Sequence, residues 1–127
     1  MPNWTLKNFN AVRDVSPPDV AIEWRFARAA LGSPELGASR FTYEPGARMP
    51  WGHRHREQEE LYVVVGGSGR AKLDDEVIEL EAWDALRVAP EVIRSFEGGP
   101  EGLALIAVGN DRPEGGDGEM VQEFWTD

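Results

Sequence analysis

A chain of 127 residues with 41% hydrophobic content is the size of one ordinary domain, able to bury a single core without staples. It has no cysteine, so disulfides, thiolate ligands and a cysteine nucleophile are excluded together, and imidazole and carboxylate remain as its strong metal-binding groups. Its 23 acidic and 13 basic side chains give a formal charge of −10 with the arginines scattered, which disfavours nucleic acid and anionic membranes as partners.

The N-terminus, Met1-Pro2-Asn3-Trp4-Thr5, lacks the basic start and apolar run of a signal peptide, and no stretch reaches the roughly 20 apolar residues of a membrane span. A soluble, cytoplasmic chain is expected. Residues 3 to 13 read equally as one helical turn or an extended arm, and the paired prolines within Asp14 to Pro18 exclude a helix interior there. Apolar runs then recur every eight to twelve residues between Gly, Pro or paired acids, the rhythm of an all-β sandwich or barrel. Strands are predicted over Ala21 to Ala30 and Ser39 to Tyr43, followed by a turn at Glu44-Pro45-Gly46. Leu61 to Val65 is predicted as a strand closed by Gly66-Gly67, and Gly69 to Leu73 with Glu76 to Leu80 as a hairpin across Asp74-Asp75. Ala85 to Val88, Arg94 to Glu97 and Leu103 to Val108 complete the set. The stretch Asp111 to Glu119 is expected to be loop, whereas Met120-Val121 and Phe124-Trp125 are apolar enough to dock. The expected organisation is a single domain over 1–127, with an N-terminal arm to about 20, a barrel core over about 21–110 and a tail over about 111–127.

Chemistry concentrates in His53-Arg54-His55, which holds both histidines of the chain, with Glu59-Glu60 just beyond. Side chains alternate faces along a strand, so His53 and His55 share a face, and a returning carboxylate can close with them around a divalent ion. Tyr62, two residues past Glu60, falls on the same strand face as that glutamate. Trp51 and Phe96 are candidate pocket walls, and Arg48, Arg54, Arg56 and Arg87 read as solvated residues.

These residues resemble the cupin family. Its first motif places Gly, His-x-His, Glu and Gly at set intervals, matched here by Gly46, His53, His55, Glu60 and Gly67, with one extra residue after the first glycine. Glu59 satisfies a shorter spacing that ends at Gly66; Glu60 is preferred because Gly67-Ser68-Gly69-Arg70 looks like the turn that follows this strand in cupins. In the second motif Asp84 and Pro90 keep their places, Trp83 and Glu91 stand where glycines are usual, and Arg94 stands where a histidine supplies the last metal ligand. Guanidinium is a permanent cation with no lone pair to donate, so Arg94 cannot be that ligand.

The resemblance implies an all-β fold, a double-stranded β-helix or jelly-roll barrel of two facing antiparallel sheets with a pocket inside. Two functional readings remain open. In one, His53, His55 and Glu60 hold a divalent Fe, Ni, Zn or Mn ion, and Arg94, with Tyr62, Trp51 and Phe96 nearby, orients a small ligand such as a carboxylate for dioxygenase, isomerase or lyase chemistry. In the other, no metal is bound and Arg94 replaces it by a salt bridge to Glu59 or Glu60, leaving a metabolite-binding or sensor module. The family resemblance also suggests a homodimer, for which Ile22, Trp24 and Phe26 on the first strand are candidate contacts.

Overall fold

The computed structural model describes residues 3–110 and 115–127. The N-terminal residues run as an extended arm broken by one 3-10 turn, Phe9–Ala11, so both sequence readings of this segment hold in part. Among the described residues eight strands follow: β1 (Ile22–Phe26), β2 (Gly37–Tyr43), β3 (Gly52–His55), β4 (Glu60–Leu73), β5 (Glu76–Glu81), β6 (Ala85–Val88), β7 (Arg94–Gly109) and β8 (Gly118–Val121). One short helix, α1 (Arg28–Leu31), lies between β1 and β2.

Pairing is antiparallel throughout, and the register divides the barrel into two walls. The first wall runs β1, β2, the second half of β7, the first half of β4, then β6. The second runs β5, the second half of β4, the first half of β7, β3, then β8. Because β4 and β7 pass through both walls, the two facing sheets expected from the sequence form one continuous hydrogen-bonded network, the double-stranded β-helix. Between the walls sits a core that includes Tyr43, Tyr62, Val64, Leu103 and Leu105 from the first wall and Ala71, Leu80 and Phe96 from the second.

Several sequence expectations need correction. Gly66-Gly67 does not close a strand, and Gly67-Ser68-Gly69-Arg70 is not a turn: β4 runs through them for 14 residues. The segments at Arg94 and Leu103 are likewise one strand of 16 residues, bending through Gly98-Gly99 and Gly102. The ladder slips between Val64 and Gly66 and again between Gly67 and Gly69, and such bulges turn a strand sharply without ending it. Gly67 and Gly102 face each other at this corner with φ of +68° and +83°, and a Cβ on Gly67 would lie 2.1 Å from the Gly102 carbonyl oxygen. Only glycine permits both the backbone angle and the approach.

Ala27 to Ala30 does not extend β1; these residues cap and form α1, which ends at Gly32 in the left-handed region. Ala and Leu favour a helical turn there over extension of a strand. Gly118 and Glu119, expected as loop, pair with His55 and Arg54 in β8. Residues 111–114 of that expected loop lie outside the described residues. Docking of the C-terminal segment is observed, with Phe124 buried and the Trp125 Nε1 donating to Ser95 Oγ at 2.9 Å. Ile22 belongs to the core rather than to an outer contact surface, because its side of β1 faces inward.

The corner geometry predicts a sharp contrast between adjacent glycines. Gly67→Ala should destabilise the fold by about 2 kcal/mol or more through steric conflict and backbone strain, whereas Gly66→Ala, whose nearest neighbour is 3.7 Å away, should cost less than about 1 kcal/mol. Denaturant midpoints of the two variants measure the difference, and equal losses would contradict it.

Candidate metal centre

His53 and His55 project from β3 on one face, as period-two alternation requires, and their rings meet edge to face with centroids 5.2 Å apart. β3 is held between β7 and β8, with His53 opposite Arg94 on one side and Met120 on the other. Gly52 allows this seat: a Cβ there would lie 2.8 Å from Ile93 and from the docked Phe124 ring.

Glu60 begins β4 on the opposite wall, and the connection that delivers it is tied down at both ends. Asp117 accepts from the backbone amides of Glu57 and Gln58 at 2.7 and 2.9 Å, and Asn110 accepts from that of Glu59 at 2.9 Å. Glu60 then turns inward and Glu59 outward, as alternation demands. Glu59 pairs with Arg87 at 3.0 Å on the outer surface, away from the histidines, so the alternative carboxylate is not at this site.

Glu60 Oε1 is the point on which the site converges. It lies 3.2 Å from His55 Nε2 and 3.5 Å from His53 Nε2, and it accepts from the Tyr62 hydroxyl at 2.6 Å. Burial would raise its pKa, but the neighbouring His53 and His55 rings and the Tyr62 hydroxyl outweigh burial and hold it far below the usual carboxylate range. Burial and the neighbouring Glu60 charge raise the Tyr62 pKa, which keeps this phenol a donor.

The other nitrogen of His55 explains which way its ring faces. Nδ1 lies 2.9 Å from Asp117 Oδ1, while Asp117 Oδ2 takes the two amides of the connection. Burial opposes ionisation of Asp117, yet the Glu57 and Gln58 amides and His55 lower its pKa to about 2. Burial would likewise lower the His55 pKa, but Glu60 and Asp117 together raise it. With an ionised Asp117 accepting Nδ1–H, the lone pair of a neutral His55 lies on Nε2, 3.2 Å from the Glu60 carboxylate but not aligned with it. That Nε2 is buried and has no hydrogen-bond partner among the described residues. Two acceptors 3.2 Å apart repel unless a cation, either a proton or a metal ion, lies between them.

The donor set fits a metal ion. His53, His55 and Glu60 each offer one ligand atom, all within 4.8 Å of one another. Neighbouring ligand atoms around an ion with bonds of roughly 2.1 Å stand roughly 3.0 to 3.4 Å apart, close to the 3.2 and 3.5 Å observed. The Asp117 carboxylate behind His55 is the kind of outer partner that fixes the tautomer of a ligating imidazole.

Arg94 lies inside the barrel with no exposed surface, as its inward register on β7 requires. Its Nη2 donates to the Ala89 carbonyl at 2.9 Å, and its Nη1 is 3.8 Å from Glu60 Oε1, too far for a hydrogen bond. Its Nε and Nη1 have no hydrogen-bond partner among the described residues. Thus Arg94 stands behind Glu60 as a fixed charge and does not form a two-pronged salt bridge with it.

The histidines and Glu60 open into a cavity of about 440 Å³ whose mouth carries Phe26, Arg28, Ser39 and Gln58. Arg94, Tyr62, Trp51 and Phe96 do not line it. Tyr62 and Phe96 pack on each other beneath the site with ring centroids 4.7 Å apart, and Trp51 meets Trp24 edge to face at 6.1 Å. The ligand-orienting place that the sequence suggested for Arg94 differs from its observed one, since the β7 register buries it behind the carboxylate. Asp117 was missed: it lies 62 residues from His55 in a Gly-rich acidic stretch that carries no local signal.

Comparison with known proteins places this geometry in context. The cupin domain model matches residues 39–109, more than half of the chain. No curated protein matches it. Among solved structures, a cupin protein from Bacteroides fragilis is 22% identical and superimposes with a TM-score of 0.71, covering 100% of this chain and 91% of its own. The polyketide cyclase RemF from Streptomyces resistomycificus is 20% identical at a TM-score of 0.74, over 97% of this chain and 87% of its own. A Streptomyces PAC13 variant with uridine is 17% identical at a TM-score of 0.75, over 96% and 93% respectively. At these identities the likeness carries the fold.

The electrostatics of Asp117 set an acid response. A carboxyl whose folded pKa is lowered contributes stability that is present above its unfolded value, near 3.8, and is lost as pH falls through its folded value of about 2. Without metal, the urea midpoint of the wild type should fall between about pH 4 and pH 2 more steeply than that of Asp117→Asn. Equal slopes would show that Asp117 is not held ionised by the fold.

Proposed function

We propose that this chain, which belongs to the cupin family, is a metal-dependent enzyme of small-molecule chemistry, with His53, His55 and Glu60 as its metal ligands. The observation that carries this reading is the buried His55 Nε2, turned by Asp117 toward an ionised Glu60 with no hydrogen-bond partner of its own. A divalent ion held by His53, His55 and Glu60 would supply Lewis-acid chemistry, as in two-histidine, one-carboxylate sites.

The chain's own residues set the terms of that chemistry. Tyr62 donates to Glu60 and orients its carboxylate, and Asp117 holds the His55 ring. Arg94 adds a buried positive charge beside Glu60, which favours the carboxylate form and leaves no fourth protein ligand in its place. The cavity of about 440 Å³ is within the range of ligand pockets, roughly 300 to 1,000 Å³. Phe26 offers an apolar face at the mouth, with Ser39 and Gln58 as hydrogen-bonding groups. The solved relatives include a polyketide cyclase and a protein with uridine, both small-molecule systems, in agreement with this reading.

A metal-free binding module has one observation in its favour, the Arg94 charge 3.8 Å from Glu60. Elemental analysis of protein purified without added metal or chelator separates the two. The metal reading expects near-stoichiometric Fe, Ni, Zn or Mn that is lost in the His53→Ala, His55→Ala double variant. Protein that is metal-free and cannot be reloaded sinks it.

Arg94→His provides a second test. An imidazole on β7 opposite His53 supplies a lone pair where the guanidinium had none and removes a buried cation, so metal affinity should rise by at least about tenfold. Titration with a competing chelator measures it. Unchanged or weaker binding would mean that residue 94 is not at a ligand position.

A further inference from the structure

We infer that the cavity above the metal centre takes a small organic acid, its carboxylate held by Arg28 at the mouth and its other end toward His53, His55 and Glu60. Only the placement of that far end rests on the metal reading above. Phe26 ends β1 and Arg28 begins α1, so Phe26-Ala27-Arg28 puts an apolar ring and a cation at one lip of the barrel. The Ala27 amide donates to the Ala38 carbonyl at 2.9 Å, which holds this bend against β2, and both Phe26 and Arg28 line the cavity.

The Arg28 guanidinium is fixed in place without being neutralised. Nη1 donates to the Glu35 carbonyl at 3.2 Å and Nη2 to the Asn110 carbonyl at 3.0 Å, so the segments before β2 and after β7 both hold it. Other arginines of the chain pair with carboxylates, as Arg40 does with Glu23 and Arg70 with Glu97. Among the described residues Arg28 bonds only to carbonyls, which leave its full charge in place. Two glycines make the seat. Gly37 and Gly109 are cross-strand partners, and Gly109 in turn pairs with Glu60. A Cβ on Gly37 would lie 2.7 Å from Arg28 Nη2, and one on Gly109 2.7 Å from Gln58 Nε2, which also donates to the Asn110 carbonyl at 2.9 Å. Arg28 over β2, Gln58 over β7 and Glu60 on β4 thus stand in order along one row of the wall.

Charge and length select the ligand class. In a chain of net charge −10 this mouth is positive, and a divalent ion outweighs the single charge of Glu60 beyond it, so the cavity attracts anions. Two strand spacings, roughly 10 Å, separate Gly37 from Glu60. A bare anion such as phosphate is too short to touch both ends, whereas an acid with a body of several carbons reaches from one to the other. That body meets Ala107 and Phe26, whose ring is 46% exposed at the lip and set edge to face on Phe41. A charged head on an apolar body matches this division of the lining, with the Gln58 carboxamide between the two ends.

Calorimetry with phenylacetate and hexanoate, each compared with its neutral amide, tests this on zinc-loaded and on chelator-stripped protein. Each acid should bind at least about fivefold more tightly than its amide, and added NaCl should shrink that preference. Arg28→Gln should abolish the preference in both forms, and Arg28→Lys, which keeps the charge, should retain part of it. The acid-to-amide ratio is the readout, because a loss of overall stability lowers both affinities alike. A wild type that binds acid no better than amide, or an Arg28→Gln variant that keeps the preference, overturns the inference. Protein that takes up no zinc yet shows an Arg28-dependent preference removes the metal reading and supports the acid site. Protein that loads zinc with a preference indifferent to Arg28 does the reverse.

Discussion

The pairing of β4 with β7 through both walls is the constraint on which the rest of this barrel hangs. Every other strand except β1 and β8 pairs directly with one of these two, and β1 and β8 attach at the next step out. For two long strands to serve both walls they must bend together, which requires the Gly67 and Gly102 backbones to approach where no side chain fits. The same bend sets the site. Glu60 opens β4 on one wall and Arg94 opens β7 on the other, so the carboxylate and the guanidinium meet across the interior along with the histidines of β3.

Charge inside the barrel is concentrated on one carboxylate. Two imidazoles, a phenol and a guanidinium all approach Glu60 Oε1, and only Tyr62 makes a short, unambiguous hydrogen bond to it. The two imidazole nitrogens stand at separations that suit a shared cation better than direct pairing. Asp117 strengthens this asymmetry from behind by holding Nδ1 of His55 and the amides that carry the chain into β4. One acid thus orients a ligand and anchors the strand that delivers the other ligand.

The outside of the barrel follows the same logic of alternation. The first half of β4 and the second half of β7 are apolar on both sides, in the middle of the first wall. Some charged positions on the strands have a partner at hand, as with Arg87 and Glu59 or Arg48 and Glu97.

Local sequence determined the strand rhythm, the hairpin across Asp74-Asp75, the shared face of His53 and His55, and the inward alternation of Glu60 and Tyr62, because period-two geometry depends only on near neighbours in the chain. Together with the spacing of the first motif, these were enough to read the fold and the position of the pocket. Three matters waited for the tertiary structure. Gly66-Gly67 reads as a stop in sequence but is a corner, since whether a glycine ends or bends a strand depends on the partner strand beside it. Arg94 reads as a ligand-gripping cation but stands buried behind Glu60, since its reach is set by the β7 register. Asp117 carries no readable role until β8 brings it 2.9 Å from His55, across 62 residues of chain. Interactions at such separation leave no trace in local pattern, and only the closed barrel decides them.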